Sequence, residues 1–192
     1  MNQPHNIQLK TATPEDAPGL LSVYAPYVEN TVITFEYELP TAEEFAARVR
    51  HTLERYPWLT ATDGNGILGY AYASPFKDRA AYAWSAETSI YVREDVKGQG
   101  IGSALYRALE SVLYRQRVCN LCACIAHPHP ESELFHQRFG YRQTAHFHRS
   151  GYKNGRWIDM IWMEKELYPH KTPPEPFIPF PLIGFDPEHP EP

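Results

Sequence analysis

Cysteine is scarce in this chain: Cys119, Cys122 and Cys124 are the only three, and they lie within six residues of one another. Such a cluster cannot make a disulfide framework. Strand alternation sets Cys119 on the face opposite Cys122 and Cys124. Together with His127 and His129, the three match no tetrahedral zinc spacing. Buried thiols in a reduced, cytoplasmic chain without a metal are the expectation. Positive charge is not in excess either. Eighteen Lys and Arg against 23 Asp and Glu leave a formal charge of −5, which argues against nucleic acid as a partner. No apolar run approaches membrane-spanning length. The opening Met1-Asn2-Gln3-Pro4-His5-Asn6 has neither the charged nor the apolar region of a secretory leader. The expectation is no membrane and no export. Two nucleotide signatures are missing as well: there is no Gly-Lys-Ser/Thr Walker ending, and Ser103 stands where a dinucleotide fingerprint needs its third glycine.

What the chain does have is the run Val96-Lys97-Gly98-Gln99-Gly100-Ile101-Gly102, placed between an alternating apolar segment (Ile90, Val92) and an amphipathic one. Glycine at every second position leaves backbone N–H groups uncovered where a helix N-terminus adds partial positive charge. That is a cradle for a phosphate or pyrophosphate.

Local signals place the remaining elements. Thr13-Pro14-Glu15-Asp16 opens a helix with Leu20, Val23, Tyr24 and Tyr27 at helical spacing. Thr41-Ala42-Glu43-Glu44 is a capping box ahead of Phe45, Val49 and Leu53. Strands are expected over residues 58–62 and 67–73, joined by the Asp63-Gly64-Asn65-Gly66 turn, and over 84–92. A helix over 102–115, a buried strand over 118–126 and a short helix over 131–139 stopped by Gly140 follow. An antiparallel pair over 143–151 and 157–165 closes the domain, and in it His146-Phe147-His148 alternates with both histidines on one face. The order is that of an α/β layer on a mixed sheet. From Tyr168 proline recurs every few residues, interleaved with Phe177, Phe180, Leu182 and Phe185. Proline at that density excludes helix and sheet. It leaves two readings: a disordered tail, or an extended strap on the domain or on a second subunit.

The glycine run resembles the Arg/Gln-x-x-Gly-x-Gly/Ala pyrophosphate loop of the GNAT acetyltransferases, with Lys97 in place of the usual first residue. One GNAT branch, the phosphinothricin and methionine sulfone/sulfoximine N-acetyltransferases, is similar over further segments. These include Tyr56-Pro57-Trp58-Leu59, Gly69-Tyr70-Ala71-Tyr72-Ala73-Ser74-Pro75-Phe76-Lys77, and Tyr82-Ala83-Trp84-Ser85-Ala86-Glu87-Thr88-Ser89-Ile90-Tyr91-Val92. Phe135-His136-Gln137-Arg138-Phe139-Gly140-Tyr141 and Gly151-Tyr152-Lys153-Asn154-Gly155-Arg156-Trp157-Ile158-Asp159 extend the likeness toward the C-terminus. The resemblance implies the GNAT (acyl-CoA N-acyltransferase) fold, a mixed, mostly antiparallel sheet flanked by helices. It assigns residues 1–167 to that domain and 168–192 to the proline-rich tail. It also implies acetyl-CoA as co-substrate, a small amine as acceptor, and a homodimer.

Residue by residue, the resemblance implies Glu87 as general base, its pKa raised by burial among Trp84, Tyr82 and Tyr91. The backbone of Thr88, Ser89 and Ile90 pairs the pantetheine arm as an added strand would. Residues 96–102 hold the pyrophosphate. His129 stands where many family members carry a cofactor-binding asparagine. His136 has either a catalytic part or the role of a packed core histidine. Ser85, Ala86 and Glu87, with Phe76, Lys77 and Arg79 of the preceding loop, face the acceptor. The two cations fit a carboxylate and a second oxyacid group, against the reading of that loop as a solvated turn. Tyr152, Lys153 and Arg156 of the last hairpin are expected at the same mouth, from this chain or from a second subunit. Two further readings stay open: an acetyltransferase of a polyamine, aminoglycoside or protein N-terminus, and a binding module without turnover.

Overall fold

The computed structural model describes residues 7–187; the opening segment read above for leader signals and the last five residues of the proline-rich tail lie outside it. Strand β1 (Gln8–Thr11) leads through a 3₁₀ turn (Pro14–Asp16) into helix α1 (Ala17–Asn30). Helix α2 (Ala42–Leu53) starts where the capping box puts it. The Thr41 amide donates to Glu44 Oε2 at 2.8 Å and the Glu44 amide donates to Thr41 Oγ1 at 3.2 Å. Strands β2 (Trp58–Thr62), β3 (Ile67–Pro75) and β4 (Ser85–Val92) follow, then helix α3 (Ile101–Arg115) and strand β5 (Asn120–His127). Helix α4 (Pro130–Arg138) and the hairpin of β6 (Arg142–Lys153) and β7 (Arg156–Glu166) complete the domain.

The seven strands form one sheet in the order β1-β2-β3-β4-β5-β7-β6. Every neighbouring pair is antiparallel except β4 and β5. Period-two alternation sorts the side chains between two layers. On one face Leu20, Tyr24, Phe45 and Val49 of α1 and α2 bury Trp58 and Tyr70. On the other, Leu105, Leu109 and Leu113 of α3 pack on Leu59, Ala71, Ala86 and Leu121. Each buried Leu or Phe contributes roughly 1.5–3 kcal/mol, so the two layers hold the sheet rigid around its one parallel seam.

Sequence-expected elements fall within about two residues of the observed ones, as is usual where helix and strand ends fray. The described part of the proline-rich stretch departs from the sequence reading in one respect: it carries a 3₁₀ turn at Phe180–Leu182. Proline pre-sets the φ that such a turn requires, and one turn needs no continuing ladder.

Candidate active site

The seam lies between β4 and β5. They pair only at Ser85↔Asn120, Ala86↔Leu121 and Glu87↔Cys122. Beyond Glu87, β4 continues along β3 while β5 continues along β7, and the two strands part. Thr88 marks the branch. Its hydroxyl donates to the Cys122 carbonyl at 3.2 Å and lies 2.7 Å from the Tyr106 hydroxyl. A side chain thus caps the seam where the backbone ladder ends. A cleft of about 60 Å³ opens there, walled by Ser89 and Ile90 of β4, Ala123 and Cys124 of β5, and His129 and Ser132 at the start of α4.

The glycine run sits beyond the end of β4. Gly98 (φ +77°) and Gly100 (φ +85°) adopt left-handed backbone, and a Cβ built on either points into open space. Gly100 caps α3, so uncovered amides and the helix terminus face outward together. Gly102 differs: a Cβ there makes ordinary contacts of 3.5–3.6 Å with Ile90, Val92 and Phe135. The backbone therefore fits a pyrophosphate. Val96 and Ile101 are buried, so Ile101 offers only its main chain, and the Val96 amide is already taken by the Arg93 carbonyl at 3.2 Å. The Lys97 ammonium lies 5.2 Å from the centre of the Tyr27 ring. His129 is the N-cap residue of α4, and its amide donates to Glu133 Oε1 at 2.8 Å. Burial, aided by the Lys97 charge, lowers its pKa and keeps the ring neutral near pH 7.

Glu87 points to the face opposite Thr88 and is half-buried. Burial raises its carboxyl pKa, and the Lys77 ammonium draws it back part of the way. The surroundings differ from those the sequence suggested. Cys122, its register partner, and Lys77 take the places expected for Trp84 and Tyr82. Trp84 instead donates its indole N–H to the Glu175 carbonyl at 2.6 Å, and Tyr82 is exposed. The Cys122 thiol is pushed up to about 11 by burial and neighbouring carboxylates, so it stays protonated near pH 7 and is no nucleophile.

Lys77 stands over Phe76 and Trp162, 5.1 and 5.8 Å from the ring centres. Phe76 meets Trp162 edge-on at 5.2 Å. Arg79 and Lys77 both line a hollow of about 600 Å³ whose wall includes Ser74, the register partner of Glu87. Ser85 Oγ lies 3.4 Å from Asn120 Nδ2 at the paired end of the seam. Ala86 is fully buried against α3, so only its backbone is open to an acceptor.

The structure does not bring His136 and Glu87 together. His136 lies on the Thr88 side of the sheet, 4% exposed and edge-on to Tyr106 and Tyr141. Its Nδ1–H donates to the Ser132 carbonyl at 2.8 Å, which leaves Nε2 as an acceptor. Burial lowers its pKa. Lys153 is a correction. Rather than lining the mouth, its ammonium is buried and donates to the carbonyls of Val28 (2.7 Å) and Thr34 (2.9 Å). It fixes the loop after α1, whose Ile33 borders the cleft. Sequence reasoning missed that clamp, the Thr88 cap and the platform of Trp162, because each joins residues distant in the chain.

Residues 9–162 match the acetyltransferase (GNAT) domain family. The phosphinothricin N-acetyltransferase of Streptomyces coelicolor is 37% identical over 175 residues, covering 84% of this chain and 96% of that protein. An L-methionine sulfoximine/L-methionine sulfone acetyltransferase of Pseudomonas paraeruginosa is 32% identical, covering 86% and 98%. Among solved structures, a GNAT-superfamily phosphinothricin acetyltransferase from Sinorhizobium meliloti in complex with acetyl-CoA superposes with a TM-score of 0.83. It is 32% identical, over 95% of this chain and 96% of that one.

Proposed function

The chain belongs to the GNAT N-acetyltransferases, enzymes that draw on acetyl-CoA, and we propose that its acceptor is the amine of a small amino acid bearing a second oxyanion or sulfone-type oxygen group. Phosphinothricin, methionine sulfone and methionine sulfoximine have that chemistry, and relatives of this chain carry those names. One observation carries the reading: Glu87 stands half-buried at the point where β4 and β5 part, with the Lys77 cation beside it.

In this proposal Glu87 takes the ammonium proton, directly or through a water, so that the amine can attack the thioester carbonyl. The main chain of Thr88, Ser89 and Ile90 aligns the pantetheine amides along the open edge of β4. The amides of residues 98–102 hold the pyrophosphate, while those of Val96 and Lys97 donate to the Arg93 and Glu94 carbonyls and close the turn before the run. Lys97 and His129 replace the family's usual contacts with an ammonium and a neutral imidazole, and the imidazole can donate or accept. Lys77 and Arg79 receive the acceptor's acid groups. His136 supports Tyr106 and Tyr141 beneath the seam rather than handling the proton. No metal takes part in the transfer, so chelators leave the rate unchanged. The same reading places the enzyme in the cytoplasm as a homodimer.

Thiol release from acetyl-CoA across a panel of amines tests the acceptor. A pocket whose donors expect oxygens leaves them unpaired around plain methionine. Methionine sulfone is therefore expected to be turned over far faster than methionine, with Arg79→Ala narrowing the gap. Equal turnover of the two, or a preference for polyamines, aminoglycosides or peptides, would reject this acceptor.

A further inference from the structure

Between the pairs Phe147↔Met160 and Gly151↔Ile158, three residues of β6 stand opposite Asp159 alone. The excess forms a bulge with Arg149 in left-handed backbone (φ 52°). The Arg149 amide donates to Asp159 Oδ1 at 2.9 Å. That bond occupies one carboxylate oxygen and aims the other at two imidazoles. His146 Nε2 lies 2.7 Å and His148 Nδ1 3.0 Å from Asp159 Oδ2. The rings are 4.2 Å apart, and the three candidate donor atoms all lie within 4.8 Å of one another. The bulge thus brings both imidazoles to one carboxylate oxygen.

We propose that His146, His148 and Asp159 form a binding site for a divalent first-row transition ion of the zinc class, separate from the acetyl-transfer site. Two imidazole nitrogens and a carboxylate suit zinc, nickel or copper far better than magnesium or calcium. At zinc–ligand distances of about 2.0–2.2 Å, small side-chain rotations draw the three atoms around one ion. Each imidazole then carries its proton on the other ring nitrogen. His148 has 76% of its side chain exposed, so water completes the coordination and the ion exchanges freely. The cluster lies on the α3 and α4 side of the sheet, away from Glu87, because His146 shares its register row with Ile161 and Ile125.

The site clamps an edge-strand bulge to β7 and adjoins the cofactor rim. His127 meets the His146 ring at 4.9 Å. Its partner Glu133 also accepts from the His129 amide.

The test is calorimetric titration of the full chelator-stripped chain with zinc chloride and, separately, magnesium chloride. One zinc equivalent per chain and no magnesium binding are expected. Because losing even an outer partner of a metal site costs about 10–100-fold in affinity, His148→Ala and His146→Gln should each weaken zinc by at least about tenfold. His148 is too exposed for its loss to unfold the chain, and circular dichroism of the variant checks that. His170→Ala, at an exposed histidine beside Glu166, should bind as the parent does. Cobalt(II) supplies a second readout, its visible ligand-field bands lost in His148→Ala. No saturable zinc binding overturns the proposal, as does parental affinity in both His146→Gln and His148→Ala.

Discussion

As the proposed base, Glu87 would serve two opposing demands. A base that works near neutral pH gains from a raised pKa, while the fold loses stability by holding a half-buried carboxylate ionised. Burial is the larger influence and Lys77 the smaller. Glu87→Gln keeps the shape and removes the proton acceptor. For the proposed mechanism, kcat/KM should fall by about 10²–10⁴ near pH 7, with acetyl-CoA affinity unchanged by calorimetry. In the parent enzyme, the rate should be lost as pH falls through a value above the ordinary carboxylate range, and the variant should lack that limb. Stability carries the opposite sign. A carboxyl whose folded pKa is raised favours the fold while protonated, and that contribution disappears as pH rises through the folded pKa. Glu87→Gln should therefore melt higher than the parent at pH 7, and the difference should close below about pH 4, where both side chains are neutral. An equal melting difference at both values would show that packing, not ionisation, sets it.

At the scale of elements, the proposed cofactor cradle makes the glycine run and α3 one device, since α3 begins where the run ends. Gly100 needs its left-handed backbone, and the space its Cβ would enter is open. Gly100→Val should lose about 1–2 kcal/mol of stability from backbone strain, remain folded, and show no measurable acetyl-CoA binding by calorimetry. Gly102→Ala is the contrast. Its Cβ makes only ordinary contacts and its backbone is unstrained, so it should fold as the parent does. Intact binding in Gly100→Val would remove this loop from the cofactor site. The loop was legible in the sequence because its signals are local: glycine spacing, a preceding apolar alternation, a following amphipathic run. The Thr41–Glu44 box was legible for the same reason, since both reciprocal bonds span three residues. Period two put Glu87 and Thr88 on opposite faces. Nothing in that period says which face α4 covers, so His136 fell on the Thr88 side without warning. Lys153 reads in sequence as a hairpin cation at the acceptor mouth. Its burial depends on carbonyls more than a hundred residues earlier. The two-residue excess in β6 is likewise invisible before its pairing with β7 is known.

At the scale of the whole molecule, the described part of the proline-rich stretch closes the end of the sheet opposite the glycine loop. The Ile178 amide donates to the Gln116 carbonyl at 3.1 Å, and the Phe180 amide to the Arg55 carbonyl at 3.1 Å. Gln116, itself buried, returns the tie through Nε2 to the carbonyls of Arg55 (2.7 Å) and Ile178 (2.9 Å). Phe177 and Phe185 pack against the α3-side core, and Phe180 is 5% exposed. Proline holds the chain extended at low entropic cost, so aromatic burial and these few bonds suffice to seat it. Truncating a buried phenylalanine leaves a cavity as well as losing burial. Phe180→Ala should therefore lose about 3–5 kcal/mol in urea unfolding. For a chain of this size that is a melting shift of roughly 6–20 °C. Gln116→Ala should lose about 1–3 kcal/mol, because two carbonyls lose their donor. Neither change touches the seam beyond Glu87 or the residues of the glycine run, so both variants should bind acetyl-CoA as the parent does at temperatures where they remain folded. An unchanged unfolding midpoint in Phe180→Ala would mean that the strap does not stay seated in solution. Weakened acetyl-CoA binding in that folded variant would instead reveal coupling across the sheet, carried along β4 from Trp84, which holds the strap through Glu175, to the Val92 end that feeds the loop.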